Sequence, residues 1–152
     1  MEPLHISYQN ISALTINEGI QVRILLRAED TNNSFAMFED LVDPGVGPGR
    51  HIHHLQDETF IVIEGSFDLE TDGAIHHLKP GDVALVPKGT PHTWKNVGLE
   101  KARIRYFLSP ALNIEDMFKE LHELRKAGDI NTEKLKALGK KYPKQQSVGP
   151  PL

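Results

Sequence analysis

Cysteine is absent from the chain, so neither a disulfide nor a thiolate ligand is available, and any bound metal must be held by nitrogen and oxygen donors. A surplus of positive charge is missing as well: 17 Lys and Arg against 21 Asp and Glu leave a formal charge of −4 and a pI near 6.0. Phosphate backbones and anionic lipid surfaces both call for a basic face, so general nucleic-acid binding and attachment to anionic membranes are disfavoured. No apolar run approaches the roughly eighteen residues of a membrane helix. The start, Met1-Glu2-Pro3-Leu4-His5, shows no basic region followed by an apolar stretch, and a cytoplasmic protein is the expectation. With 39% hydrophobic and 25% charged residues in 152, nothing marks the chain as disordered, and one domain with a sizeable core is expected.

Helical periodicity is missing from about Ile20 to Leu108. Short apolar runs bounded by Gly, Pro, Asn and Asp take its place, which predicts strands over 21–27, 34–42, 58–63, 67–71, 75–78, 83–86, 92–97 and 102–108. So many short strands predict an all-β sandwich or barrel. Asp72-Gly73 is a strong hairpin signal, Pro80-Gly81 fits the centre of a type II turn, and Glu64-Gly65 ends a strand. The segment Asp43-Pro44-Gly45-Val46-Gly47-Pro48-Gly49 is too rich in Pro and Gly to continue a ladder and reads as a pocket rim.

After Pro110 the pattern changes. Ile114, Met117, Phe118, Leu121 and Leu124 follow helical spacing, with Asn113 as the expected N-cap and Gly128 as the stop. A second short helix carries Leu135, Leu138 and Tyr142 and ends before Pro143, leading into an extended tail. The expected organisation is a leading segment, 1–19, with an added strand as one option; a barrel, 20–109; and a helical extension with its tail, 110–152. About thirty helical residues cannot bury an independent core.

Of eight histidines, most call for no special role: His5 is near a terminus, His122 lies on a helix flank, and His76-His77 occupies a hairpin strand. His51 and His53 are different, because residues two apart on a strand project from one face, and Glu58 follows after a short turn. His92, on a distant segment, completes a set of three imidazoles and one carboxylate able to surround a divalent ion. His54 faces the other side of a regular strand and is the main competitor for a ligand position. The alternative is four unrelated polar residues in a small hydrogen-bonded core. It is the weaker option, because Glu58 opens the apolar run Thr59-Phe60-Ile61-Val62-Ile63, where a carboxylate is costly to bury without a cation or a partner.

These residues resemble two motifs of the cupin family. Gly45, five residues, His51-x-His53, four residues, Glu58, six residues, Gly65 matches the first; Gly81, five residues, Pro87-x-Gly89, two residues, His92, three residues, Asn96 matches the second. At typical usage of ~7% Gly and ~5% Pro, the Gly, Pro, Gly trio alone occurs at a given register about two times in ten thousand. The resemblance covers residues 20 to 109 and implies a double-stranded β-helix, or jelly-roll barrel, with a C-terminal helical extension and an ion in the barrel mouth. It assigns His51, His53, Glu58 and His92 as ligands, and Gly65, Gly81, Pro87, Gly89 and Asn96 as barrel-shaping positions. The extension and the Gly-Pro-Pro-Leu ending look similar to small cupins described as quercetin-dioxygenase-like.

A mixed N/O shell suits one divalent transition metal ion, Fe, Mn, Ni, Cu, Co or Zn, and affinity order does not choose among them. In an octahedron, four protein ligands leave two positions open for a bidentate oxygen ligand, or for substrate and dioxygen. Strand alternation makes Phe60 and Val62 beyond Glu58, and Trp94 beyond His92, the expected pocket wall. The dioxygenase resemblance implies that Glu58 doubles as a catalytic base. Three functions compete: a metal-dependent oxygenase acting on a small oxygenated, even aromatic, substrate; a non-redox metal enzyme such as an isomerase or decarboxylase; and a small-molecule-binding module without catalysis. A DNA-reading regulator is disfavoured, because the helices after Asn113 mix Lys and Glu without a basic face. A homodimer is expected, partly by the resemblance, through a barrel edge, the stretch from Leu4 to Ile16 or the tail.

Overall fold

A computed structural model of the chain, covering residues 1–152, places eleven strands and two helices, with the eight predicted strand ranges in order and three strands added to them, one at each end and one at residues 50–53. Strands β1 (Leu14–Asn17), β2 (Ile20–Leu26), β3 (Ala36–Val42), β4 (Arg50–His53), β5 (Asp57–Glu64) and β6 (Phe67–Thr71) come first. They are followed by β7 (Ala74–Leu78), β8 (Val83–Val86), β9 (His92–Asn96), β10 (Ala102–Ser109), helices α1 (Ile114–Lys126) and α2 (Thr132–Lys141), and β11 (Gln145–Gly149). Two antiparallel sheets face each other, one ordered β1-β2-β3-β10-β5-β8 and the other β11-β4-β9-β6-β7. The architecture is the double-stranded β-helix. No helix is long and apolar enough to cross a membrane.

Alternation decides what faces inward. Along β10, Ala102, Ile104, Tyr106 and Leu108 are buried while Arg103, Arg105 and Phe107 point outward. Along β3 the inward set is Ala36, Phe38, Asp40 and Val42, an apolar row interrupted by one acid. Phe38 stacks on Tyr106 at 5.2 Å between ring centroids, and Phe118 of α1 meets Phe38 edge-on at 5.1 Å. Helix α1 thereby closes one end of the barrel. Each such buried aromatic contributes about 2–3 kcal/mol by area removed from water.

Turn chemistry follows the glycine signals. Asp72 and Gly73 both adopt positive φ, 48° and 82°, and join β6 to β7 in a two-residue hairpin. Gly81, at φ 91°, precedes Asp82, whose N–H returns to the Lys79 carbonyl. Helix α1 ends as expected at Gly128: its N–H bonds to the Arg125 carbonyl and that of Asp129 to the Leu124 carbonyl, a Schellman motif. Its start differs from the sequence expectation. Asn113 occupies the cap position in the left-handed conformation, φ 54°, and its side chain makes no capping hydrogen bond. The left-handed backbone turns that side chain away from the helix N–H groups, which a β-region cap would reach.

The tail does not trail free. Strand β11 pairs antiparallel with β4, aligning Gln145 with His53 and Ser147 with His51. Strand β4 itself has too few apolar residues to announce itself as a run.

Gly65 and Gly73 separate two reasons for glycine. Both have positive φ, but a Cβ on Gly65 would lie 2.5 Å from the Ala102 Cβ, whereas one on Gly73 meets nothing within 4 Å. Gly73→Ala is expected to destabilise by about 1 kcal/mol from backbone strain. Gly65→Ala adds an overpacking term of about 1–3 kcal/mol. Denaturant titration of the two variants checks this, and equal losses would refute it.

Candidate metal centre

Three pieces of chain converge on one point. Strand β4 sends His51 and His53 to the same face, and the turn after it leads directly into β5, whose second residue is Glu58. Gln56 pins that turn by donating from Nε2 to the carbonyls of Pro110 and Ala111 at 2.9 and 2.8 Å. Strand β9 opens with His92, and β4 and β9 meet in the register pair His51 with His92. The loop before β9 is docked from behind, where the Gly89 N–H donates to the His53 carbonyl at 2.8 Å. One nitrogen from each of His51, His53 and His92 and one oxygen of Glu58 all lie within 4.8 Å of one another. His53, Glu58 and His92 are 4%, 4% and 1% exposed.

The hydrogen bonds around the rings decide where their lone pairs point. His51 Nδ1 lies 2.8 Å from the Gly49 carbonyl and His92 Nδ1 lies 2.9 Å from the Thr90 carbonyl. A carbonyl only accepts, so both Nδ1 atoms donate, and the neutral rings turn an unprotonated Nε2 toward the cluster. Glu58 Oε2 sits 2.8 Å from His92 Nε2 and 3.2 Å from His53 Nε2. Two bare acceptors at 2.8 Å repel unless a proton or a cation lies with them. His53 Nδ1 is buried without a partner.

Burial, reinforced by the neighbouring His92, lowers the His51 imidazole to about 4, so it is neutral at pH 7. Burial alone would raise the Glu58 carboxyl, but the His53 and His92 imidazoles outweigh it and hold the group ionised, well below the usual carboxylate range. Burial opposes the charged form of His92 too, yet hydrogen bonding and attraction to Glu58 leave it raised. An ionised carboxylate among imidazole lone pairs, away from water, is a donor set that fits a divalent transition ion better than an all-oxygen cation such as Ca²⁺. His51, His53, Glu58 and His92 are the residues that would hold it.

The cluster opens onto a cavity of about 210 Å³. Trp94 lines it, as alternation predicts, but Phe60 and Val62 do not. Both are fully buried one and two inward positions past Glu58, where the barrel is already filled; the Phe60 ring stands 6.1 Å from that of His92 and supports it. The apolar wall comes instead from Ile16, Ile20 and the α1 residues Met117, Phe118 and Leu121. Five polar residues on the wall were not anticipated: Asn17, Asp40, Tyr106, Gln145 and Ser147. The signal for Asp40 is present in the sequence, an acid at an inward position between Phe38 and Val42. Gln145 and Ser147 carry no such signal, because only the long-range pairing of β11 with β4 brings them there.

The other histidines lie elsewhere. His54 is exposed with Nε2 2.8 Å from Gln146 Oε1, His77 pairs with Asp68, His76 with Thr71, and His122 Nδ1 accepts from the Thr15 N–H. His5 is exposed near the start of the chain. A wider, open groove of about 740 Å³ between α1 and α2 contains no such cluster of imidazoles.

Comparison with known proteins agrees with this geometry. The cupin domain family Cupin_2 matches residues 38–109. Protein SchB of Streptomyces halstedii is 33% identical over 70 residues, 46% of this chain and 51% of SchB. Quercetin 2,3-dioxygenase of Bacillus subtilis is 32% identical over 73 residues, 48% of this chain and 22% of the dioxygenase. The chain thus spans about half the length of the first relative and about a fifth of the second. Among solved structures, KdgF from Halomonas sp. superposes with a TM-score of 0.65 over 73% of this chain and 96% of KdgF, at 22% identity, a likeness of fold alone.

Two outcomes test the ligand set. His51→Ala and His92→Ala are expected to reduce bound metal at least tenfold, while His54→Ala and His76→Ala leave it unchanged; elemental analysis of the purified variants is the check. Because the shift favours the protonated form of His92, and a ligand nitrogen must be bare, metal uptake competes with a proton there. Proton release on metal addition should therefore be measurable by calorimetry in buffers of differing ionisation enthalpy. It should shrink as pH rises and be reduced in His92→Ala.

Proposed function

Because its barrel belongs to the cupin superfamily, we propose that this chain is a metal-dependent enzyme acting on a small oxygenated molecule, with dioxygenase-like chemistry as the first reading. The observation that carries the proposal is the meeting of three imidazoles and one buried carboxylate at the mouth of a mostly apolar cavity. When bound, a divalent transition ion supplies Lewis acidity and, for Fe, Mn, Ni, Cu or Co, a redox partner. His51, His53, Glu58 and His92 would hold it.

The protein's own contribution follows from position. Glu58 is the one carboxylate at the cluster; the adjacent imidazoles keep it ionised and weaken it as a base, so a role in taking a proton from a bound substrate requires that it first leave the ion and those imidazoles. Trp94 and the α1 side chains Met117, Phe118 and Leu121 exclude water from one side and favour an apolar or aromatic body. At ~30 Å³ per water in the liquid, the cavity equals about seven waters, which suits a short-chain or single-ring molecule. Sequence identity to a quercetin 2,3-dioxygenase supports oxygenase chemistry without fixing the substrate.

A second reading, non-redox isomerisation or decarboxylation, is favoured by one observation: Asp40 lines the same cavity, and burial, despite its hydrogen bond from Tyr106, pushes its carboxyl well above the usual range. Burial thus favours the protonated, proton-donating form of an acid beside the substrate, which oxygen insertion does not require. The metal and the gas consumed separate the two. Under the first reading, freshly purified protein contains Fe, Mn, Ni, Cu or Co and takes up oxygen with a member of a flavonol, diketone and catechol panel. Zinc with turnover but no oxygen uptake supports the second, and ligand binding without turnover under any metal would overturn both.

We propose a homodimer as well. Strand β8 is a sheet edge, and its Val83 and Leu85 are each 62% exposed beside the outward face of β5. Light scattering that gives a monomer at assay concentration would count against it.

A further inference from the structure

Asp40 is an expensive residue to place where it stands. Its strand neighbours on the inward face are Phe38 and Val42, and its cross-strand partners are Val22 and Ile104, all fully buried. A carboxyl group in such a setting loses its hydration, and a leucine of similar size would fill the position without that loss. It is not there to balance a cation, since neither an Arg nor a Lys pairs with it; its one protein partner is Tyr106, whose hydroxyl donates to Oδ1 at 3.1 Å. The second oxygen, Oδ2, takes no hydrogen bond from the protein, and both residues line the cavity that opens on the metal centre. Ring contacts fix the tyrosine from both sides, Phe38 stacked at 5.2 Å and Phe60 at 5.9 Å.

We propose that Asp40 and Tyr106 form a second polar pole of the substrate site, at which Asp40 Oδ2 engages an oxygen of a small molecule whose first oxygen function lies at the His51, His53, Glu58 and His92 cluster. The ligand class is therefore a molecule with two oxygen functions joined by a short apolar body, such as a keto acid or a hydroxylated aromatic acid. This deepens, and rests on, the assignment of the cavity as the site of a metal-dependent reaction.

The hydrogen-bond directions support a donor at this pole. Burial holds the Asp40 carboxyl well above its ordinary range, with the Glu58 and Glu39 charges adding to the effect, and burial with the neighbouring Asp40 does the same to the Tyr106 hydroxyl. Both shifts favour the protonated form. Tyr106 occupies Oδ1, so it is Oδ2, the oxygen without a protein partner, that is left to carry a proton toward a ligand. A neutral acid in a dry site gives a strong hydrogen bond to a carbonyl or phenolate oxygen without bringing a second negative charge near Glu58.

The test uses the full chain loaded with Co(II) and two matched probe pairs: pentanoate against 4-oxopentanoate, and benzoate against 3-hydroxybenzoate. Each pair shares a carboxylate and a body and differs by one oxygen. Binding is read from the Co(II) absorption spectrum, and Co(II) content by elemental analysis. In the wild type the oxygen-bearing member of at least one pair is expected to bind about five- to tenfold more tightly, the range of one net hydrogen bond. That preference should fall to near parity in Asp40→Leu and shrink in Tyr106→Phe, with Co(II) content unchanged in both. Asp40→Asn conserves volume and an N–H donor and should keep part of the preference, which preserves the test if Asp40→Leu does not fold. Parity within both pairs in the wild type, or a preference untouched by Tyr106→Phe and by whichever Asp40 variant folds, would overturn the proposal and leave the metal centre standing. A wild type that takes up no Co(II) would overturn both.

Discussion

A single buried carboxylate governs this structure. Glu58 is 4% exposed and ionised, with its Oε2 shared between two imidazole nitrogens at 2.8 and 3.2 Å. Removing one partner from a buried charge typically costs about 3–5 kcal/mol, because the remaining charge has neither water nor a counter-ion. The surroundings are therefore committed to supplying positive charge at one point. His51 supplies a neutral lone pair there and His92 a ring that holds a proton more readily than usual; the two behave oppositely because His92 touches Glu58 and His51 is dominated by burial. A divalent cation satisfies all four groups at once, whereas a proton satisfies one contact at a time.

The barrel is built to hold that point rigid. Carbonyls of Gly49 and Thr90, each two residues before a ligand histidine, fix the ring orientation from the backbone and need no further side chain. The two motif segments are also stitched away from the cluster. Gly45 donates its N–H to the Asn96 carbonyl, and Asn96 in turn spans from the Val42 carbonyl to that of Glu100 with its amide nitrogen. Gly47 packs so closely on the Trp94 carbonyl that a Cβ would lie 1.8 Å from that oxygen. Glycine in this rim is thus a condition for the approach of the two segments, over and above a turn preference.

The pattern of the sequence made much of this legible, and for identifiable reasons. Alternating burial and strong turn dipeptides such as Asp72-Gly73 are local properties, so strands β5 to β10 were readable within a residue or two. The ligand set was readable because it rests on residue type and short spacing: two histidines two apart, and a carboxylate at the head of an apolar run. What escaped depends on contacts between distant residues. Strand β4 is short and polar: the spacing of His51 and His53 was read on a strand there, but its pairing with β9 and β11 was not legible. Phe60 and Val62 share the face of Glu58, but a face extends from the cavity to the sealed core, and periodicity does not say where along it the packing closes. Asn113 has the right residue type for a cap and the wrong backbone angle.

The division between what was readable and what was not coincides with a division of labour in the molecule. The barrel residues that match the family motifs form the cluster that would hold an ion. The rest of the cavity wall is shared: the barrel adds Asp40, Trp94 and Tyr106, while Ile16 and Asn17 come from the leading segment, Met117, Phe118 and Leu121 from α1, and Gln145 and Ser147 from the tail strand. Strand β11 covers the otherwise open edge of β4 and sets Gln145 beside His53, so the tail is a wall of the site as well as a cap on the sheet. A barrel that shares the ligand motifs but differs in these three appended pieces would hold the same metal and admit a different molecule. Coordination and selection thus rest on different residues: a few imidazoles and one carboxylate on rigid strands for the first, and for the second the barrel pair Asp40 and Tyr106 together with the helix and tail that pack against the cavity.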